Sequence, residues 1–400
     1  MASGPRAHII GAHRGKDGHV NELKKRLHDS YADIADGLLA FSHRLHESPE
    51  TGFEEFKASA WLAEELRAVP GARVVHGLGE LPTAVRADAG SGPLVVTICA
   101  EYDALPGVGH ACGHNIIAAG ALGAFTLLAG VADELDVTVR LLGTPAEESG
   151  GGKILMLEQG DFDGTHAAMM VHPGNADRTN MLPLACAGFD VRYRGRSAHA
   201  SAQPHQGVNA LDAMTVALTA IGLARQQLEP GQQIHGCVAG AGTAPNVIPE
   251  SAAGQWMVRA DDLESLSRVE AVLRRCFEAG AVATGAELEF TPSDPPYAEM
   301  RGDARMEELF RDNAAELGRA LVPEDTRGGS TDMANVSHHF PTIHPMLDLG
   351  DAPPIHHPAF AEAAAGPGGD RAVRDAALGM ACTVVDLATD PAERQRLLAG

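Results

Sequence analysis

The sequence predicts an α/β protein, helices around a sheet, with an inserted ferredoxin-like domain, and three observations carry that reading. Short apolar runs are followed by a Gly-rich or polar loop and then a helix, twice within the first 160 residues. From about Ala187 to Thr291 the order changes to β-α-β-β-α-β. Prolines mark both ends of that stretch, at Pro183 and at Pro292-Ser293-Asp294-Pro295-Pro296, as expected where one domain interrupts another.

Taken in order, residues 1–19 carry scattered basic and polar side chains and read as a flexible leader, without an apolar run of signal-peptide length. Ser30 to Val69 is helical in period, with a break at Ser48-Pro49. Ala84 to Ala100 holds two strand-like runs around the turn Ala89-Gly90-Ser91-Gly92, and Leu94 to Ile98 reads as a buried parallel strand. The uncharged stretch Ile116 to Val131 approaches membrane-spanning length, but Ala and Gly dominate it, so a buried helix is expected. Val137 to Leu142 is a second buried strand. In the insert, strands at Ala187–Arg194, Ile234–Ala239, Gly254–Ala260 and Ala286–Thr291 go with helices at about Gly207–Gln227 and Asp262–Thr284. The expected organisation is a leader over 1–19, a first domain over 20–183 and 295–400, and an insert over 184–294.

Composition narrows the function. The 400 residues hold 53 acidic and 31 basic side chains, a net charge of −22, and no basic cluster exceeds Lys24-Lys25-Arg26 and Arg274-Arg275. Nucleic acid is therefore excluded as a partner, because phosphates need a basic stripe. No membrane partner is expected. The six cysteines are spread without C-x-x-C pairs, which fits a reduced cytoplasm. Histidine is the outlier: 19 residues exceed the 11 Phe, 2 Trp and 4 Tyr combined.

The chemistry concentrates in loops. After the first buried strand comes Glu101-Tyr102-Asp103, followed by Cys112-Gly113-His114-Asn115. A C-x-H pair in a Gly-rich loop lets a thiolate and an imidazole converge on one ion, with Asp103 placed to orient a ligand. A buried cysteine beside a capping histidine is the plainer reading. After the second strand, Glu147-Glu148 puts two carboxylates side by side, which repel each other if buried unless a cation sits between them. One can ligate while its neighbour serves as base; a solvated acidic turn is the alternative. His172 ends a third apolar run, and His356-His357 follows Pro353-Pro354 near the C-terminus. Strand ends of one sheet point to one edge, so Cys112, His114, Glu148, His172 and His356 supply enough S, N and O donors for one or two ions. Zn²⁺ suits that set, with Mn²⁺ or Co²⁺ as alternatives. The G-x-S-x-G nucleophile elbow is absent, Gly152-Lys153 lacks the rest of a phosphate loop, and Gly107-x-Gly109-x-x-Cys112 breaks the dinucleotide fingerprint.

AEYDALPGVGHACGHN, GTPAEESGGGK, VHPG, GRSAHASAQPHQGVNALDA, GTAPNVIPE and GGSTDMANVS occur in this order from about Ser42 to Asp386. Together they resemble the metal-dependent aminoacylase, carboxypeptidase and dipeptidase family, nearest the branch of β-alanyl-lysine (Xaa-Arg) dipeptidases and aminobenzoyl-glutamate hydrolases. The resemblance implies a zinc-peptidase-like mixed sheet flanked by helices, with the insert as a dimerisation and lid domain. It makes Cys112, His114, Glu148, His172 and His356 metal ligands and Glu147 the general base. His356 takes the role over His357 because His356, Pro358 and Phe360 meet the pattern His-x-Pro-x-aromatic. It gives His199 the task of stabilising the oxyanion in a partner subunit's site, Asn246 and Arg259 the substrate carboxylate, and Ser330 a further substrate contact. Asn115 departs from the wider family, where many members carry Asp.

The expectation is thus a cytoplasmic homodimer that cleaves the amide between an acyl or aminoacyl group and an amino acid with a free carboxylate. An N-acyl-amino-acid or aminobenzoyl-glutamate hydrolase working as one half of a two-part enzyme, or a non-catalytic metal-binding homologue, are the alternatives.

Overall fold

The computed structural model describes residues 7–350 and 352–400, with side chains from residue 18 onward. The chain divides into two compact units: one holds residues up to Met181, Arg301–Thr326 and Asn335–Gly400, the other Leu182–Met300 and Arg327–Ala334.

The first unit is built on a six-stranded mixed sheet. Its strands are β1 (Arg73–Leu78), β2 (Leu81–Gly90), β3 (Leu94–Ala100), β4 (Val137–Gly143), β5 (Ala167–Met169) and β11 (Thr342–Ile343), in the order β1-β2-β4-β3-β5-β11. The two runs flanking the Ala89–Gly92 turn do not pair: β2 is antiparallel to β4, which lies between it and β3. A two-stranded parallel pair joins β6 (His172–Gly174) to β12 (Met346–Asp348). His172 therefore opens a short strand of its own, where an end of the preceding apolar run was expected. His172 N donates to Pro345 O, and that bond draws the chain out of the main sheet.

Strands β3, β4 and β5 are parallel, with Ala100 opposite Gly143 and Ile98 opposite Met169. Their carboxyl ends share one edge, where an α/β sheet carries its ligands. The Ala- and Gly-rich stretch is the helix His114–Ala129, buried along almost its whole length. A Cβ at Gly120 or Gly123 would come within 2.8 Å of Ala376 Cβ or Ala377 Cβ of the Pro367–Thr389 helix. The small residues serve close helix packing, and among the described residues no helix is long and apolar enough to cross a membrane.

The leader needs correction. Residues 1–6 lie outside the described residues, but the backbone from Ala7 is helical and continuous to Glu47. No proline falls between Pro5 and Pro49 to remove an amide donor, so nothing chemical stops the helix earlier.

The second unit contains β7 (Ala185–Arg194), β8 (Gln233–Ala241), β9 (Ser251–Ala260) and β10 (Glu287–Pro292), antiparallel in the order β10-β7-β9-β8. Helices Ala210–Ala224 and Leu263–Thr284 complete the ferredoxin-like order. The first of them begins at Ala210, three residues later than its sequence pattern suggests, because Asn209 caps Leu211 N and Asp212 N. Residues 327–334, expected with the first domain, group with this unit. Gly328 N donates to Leu182 O, Leu184 N to Gly329 O, and Arg259 Nη1 to Gly329 O.

Candidate metal centre

The site grows from the loops after β3 and β4. Between Cys112 and His114, Gly113 has φ 74°, and a Cβ there would lie 2.6 Å from Pro173 Cγ. Only glycine takes this left-handed turn with that neighbour, which is why a thiol and an imidazole two residues apart reach one place. His114 then opens its helix, and Asp103 holds the ring: Nδ1 lies 2.9 Å from Asp103 Oδ1, leaving Nε2 to face the site. Asp103 Oδ2 accepts from Glu148 N at 2.9 Å, so one buried carboxylate fixes one candidate ligand by its ring and another by its backbone.

Three carboxylates close on His114 Nε2. Glu101 Oε2 is 3.5 Å away, and Glu147 Oε2 and Glu148 Oε1 are each at 3.8 Å. The other oxygen of Glu148 is 3.7 Å from His356 Nε2. His172 Nδ1 donates to Pro173 O at 2.6 Å, which turns its Nε2 free, and its ring meets His114 edge-on at 5.8 Å. Three overlapping sets of candidate ligand atoms result: Cys112, His114 and His172; Cys112, Glu148 and His356; and Glu101, His114 and Glu147. Glu148 and Cys112 link the buried part of the cluster to His356, whose side chain is 57% exposed.

The electrostatics suit a cation. Burial pushes the Cys112 thiol well up, so its thiolate needs positive charge beside it. Burial, with His344 and His114 nearby, lowers His172 to about 3, leaving it a neutral imidazole. Burial also opposes charge on His114, but Asp103 and Glu101 more than offset it and raise that ring well above the imidazole range. Asp103 is the mirror case, raised by burial and brought below the carboxylate range by His114. Glu101 Oε2, His114 Nε2 and Glu148 Oε1 are buried with no hydrogen-bond partner. Buried ligand-type atoms that converge without hydrogen-bond geometry between them fit a bound divalent ion.

Two ligand-bearing turns are strained: Ala146, just before Glu147, has φ 56° and His356 has φ 71°. Each is tied down. His356 N donates to Ala111 O, and Ala146 N donates to Glu55 Oε1 at 2.8 Å. Glu55 is fully buried, takes a hydrogen bond from Thr83 Oγ1, and is raised by burial and by Asp103 to about 7.

Residues 97–373 match the family described as peptidase family M20/M25/M40. The chain belongs to that family. It is 34% identical over 387 residues to the Xaa-Arg dipeptidase of Mus musculus, covering 92% of this chain and 90% of that protein. It is 31% identical over 280 residues to one of the subunits of the p-aminobenzoyl-glutamate hydrolase of Escherichia coli (strain K12), covering 65% of this chain and 56% of that one. Among solved structures, a dinuclear metal-binding peptidase of the M20 family from Bacillus subtilis superposes with a TM-score of 0.67 at 25% identity, over 89% of this chain and 99% of that chain. As an M20-family member the protein is a metal-dependent hydrolase of amide bonds.

Within this M20-family chain, the remaining sequence-derived residues lie in the second unit. His199 is exposed; its Nδ1 accepts from Ser201 N at 3.3 Å and Ala202 N at 3.2 Å, so the ring proton is on Nε2. Ala200 N donates to Asn246 O, joining the two loops. Arg259 is half-buried, and Ser330 precedes Thr331, whose Oγ1 accepts from Met333 N and caps the helix there. Asn115 points away from the ligands: its Nδ2 donates to Ser42 Oγ and Ala364 O. His357 caps the Pro358–Ala364 helix through Nδ1, and buried His110 bonds Leu45 O, which explains two histidines that had no role.

Four residues of this neighbourhood escaped the sequence reading: Glu55, Glu101, Lys153 and His344. Lys153 Nζ bonds Glu101 Oε1 at 2.5 Å, both side chains fully buried. His344 stacks on His172 at 5.6 Å with both ring nitrogens buried and unbonded. Glu55 and His344 lie outside every quoted motif, and Glu101 and Lys153 stand at or next to the ends of two of them, where no role was assigned. For Glu101 and Lys153 the one available signal was an unexplained charge next to an apolar strand or a glycine run.

Proposed function

We propose that the protein hydrolyses the amide between an acyl or aminoacyl group and an amino acid with a free carboxylate. Glu147 is the general base, and Cys112, His114, Glu148, His172 and His356 hold one or two ions. The observation that carries this is the place of Glu147: a second carboxylate at 3.8 Å from His114 Nε2, beside Glu148, within one cluster of candidate ligand atoms. When bound there, an ion would supply Lewis acidity toward the carbonyl and the attacking water. Zn²⁺ suits the mixed S, N and O donors, and Mn²⁺ or Co²⁺ are the alternatives.

Glu147 takes a proton from the attacking water onto a carboxylate oxygen and returns it to the amide nitrogen as the C–N bond breaks, releasing an amine and a carboxylate. Asp103 keeps His114 and Glu148 aimed throughout. The His199 Nε2–H donates to the developing oxyanion in a partner subunit's site, while Asn246, Arg259 and Ser330 take the substrate's carboxylate end. A homodimer formed through the second unit is supported by β8 at the end of its sheet and by exposed Leu218 and Leu223 on the neighbouring helix. Six free thiols support a cytoplasmic location. The likeness to Xaa-Arg dipeptidase favours dipeptides ending in a basic residue as first substrates. The likeness to a protein that is itself one subunit of a hydrolase favours, second, an aminobenzoyl-glutamate hydrolase that needs a partner chain.

Metal analysis should find one to two ions per chain, and a metal-free preparation with full activity would sink the mechanism. Glu147→Gln should lower kcat by roughly 10²–10⁴ with metal content unchanged; undiminished turnover removes Glu147 as base. A panel of aminoacyl-basic dipeptides, aminobenzoyl-glutamate and N-acyl amino acids, assayed with and without other chains, sorts the substrate readings.

A further inference from the structure

We propose that Glu101, through Oε2, is a further ligand of the ion held by His114, and that Lys153, by tying Oε1, limits it to that one oxygen. The inference rests on the metal-dependent reading above and adds a residue to it.

Three observations converge. Glu101 has no exposed surface, and its Oε2 has no hydrogen-bond partner, although Oε1 is bonded to Lys153. A buried carboxylate oxygen left bare is costly unless a cation or a proton donor meets it. His114 Nδ1 is committed to Asp103, so Nε2 is the ring nitrogen turned toward Oε2, at 3.5 Å. Two donors about 2.1 Å from one tetrahedral ion stand roughly 3.4 Å apart, so this separation is the spacing of neighbouring ligands. Finally, the buried Lys153 ammonium ties Oε1, so Oε2 is the only oxygen of Glu101 left to face the site. A carboxylate with one oxygen tied and the other facing a ligand nitrogen is a monodentate donor in waiting. Lys153 also offsets one of the negative charges that Cys112, Glu148 and Glu101 bring together.

The test is chelator competition for Zn²⁺, with Co²⁺ absorption as a second readout, on the full chain. Glu101→Gln should bind its tightest ion at least ten-fold more weakly, and its Co²⁺ bands should change in position and intensity. Because Glu101→Gln upsets the charge balance of the buried pair, the double change Glu101→Gln with Lys153→Met removes both charges and keeps the volume; it should fold and show the same loss of affinity. Unchanged affinity and an unchanged Co²⁺ spectrum in the folded double variant overturn the proposal. If the unaltered chain binds no ion, the reading beneath it fails instead, so the two failures are told apart.

Discussion

The two units carry functional side chains in opposite ways. In the first, His114 and Asp103 are sealed from solvent and cross-bonded, and Asp103 sets both the His114 ring and the Glu148 backbone. In the second, His199 and Asn246 stand exposed on loops joined by backbone bonds, with little side-chain support beyond the turn at His199 Nδ1. A buried polar group must be satisfied where it sits, so its bare atoms point to what it binds. An exposed one is satisfied by water and gives no such signal; only its tautomer and its loop hint at a role.

The sharpest way to break this contrast is His199→Ala. If the exposed donor stabilises the oxyanion, kcat falls by roughly 10²–10³ with metal content unchanged. Mixing that chain with Glu147→Gln chains should then recover activity through mixed dimers. Failure to recover any removes the role across subunits.

A smaller effect sits in the buried unit. The folded protein holds the Glu55 carboxyl at about 7 against an ordinary 4.5. Its proton is bound more tightly folded than unfolded, so the stabilisation is complete below 4.5 and is lost as pH rises through 7. That amounts to about 3 kcal/mol. Melting curves should show this decline, and Glu55→Gln should flatten it between pH 4.5 and 7; an unchanged slope means that Glu55 is not the group responsible.

Next comes Asp103→Ala, which releases His114 and the Glu148 backbone together and should weaken metal binding by roughly ten- to a hundred-fold in chelator competition. An unaltered affinity shows the ligands hold their places without it. The smallest difference separates adjacent histidines. His357→Ala removes a helix cap and should lower stability by about 1 kcal/mol with full metal content, whereas His356→Ala should lower the metal content itself. Equal metal contents in the two variants would undo the choice of His356.

Legibility in the sequence followed the same division. Cys112, His114, Glu147 and Glu148 could be found because each follows an apolar parallel strand, and parallel strands put their loops on one edge. Glu101 lies in the same loop, yet its bond to Lys153 spans 52 residues, and Lys153 read only as the remnant of a failed phosphate loop. Glu55 holds Ala146 across 91 residues, in a segment with no motif of its own. The short strands β5 and β6 were read as one run, and β11 and β12 were not read at all, since two or three residues are too few for a period. The split between His172 and the main sheet followed from that.

The sequence by itself determined the alternation of strand and helix, the β-α-β-β-α-β order of the insert and the chemical identity of the donors. These depend on local periodicity, turn residues and side-chain type, all of which are written along the chain. Tertiary structure alone decided that residues 327–334 belong with the second unit, that β4 separates β2 from β3, and that Glu101 and Lys153 meet beneath His114. Those are long-range pairings, and in each a buried polar group or strand edge chose among many partners by geometry that no local pattern encodes.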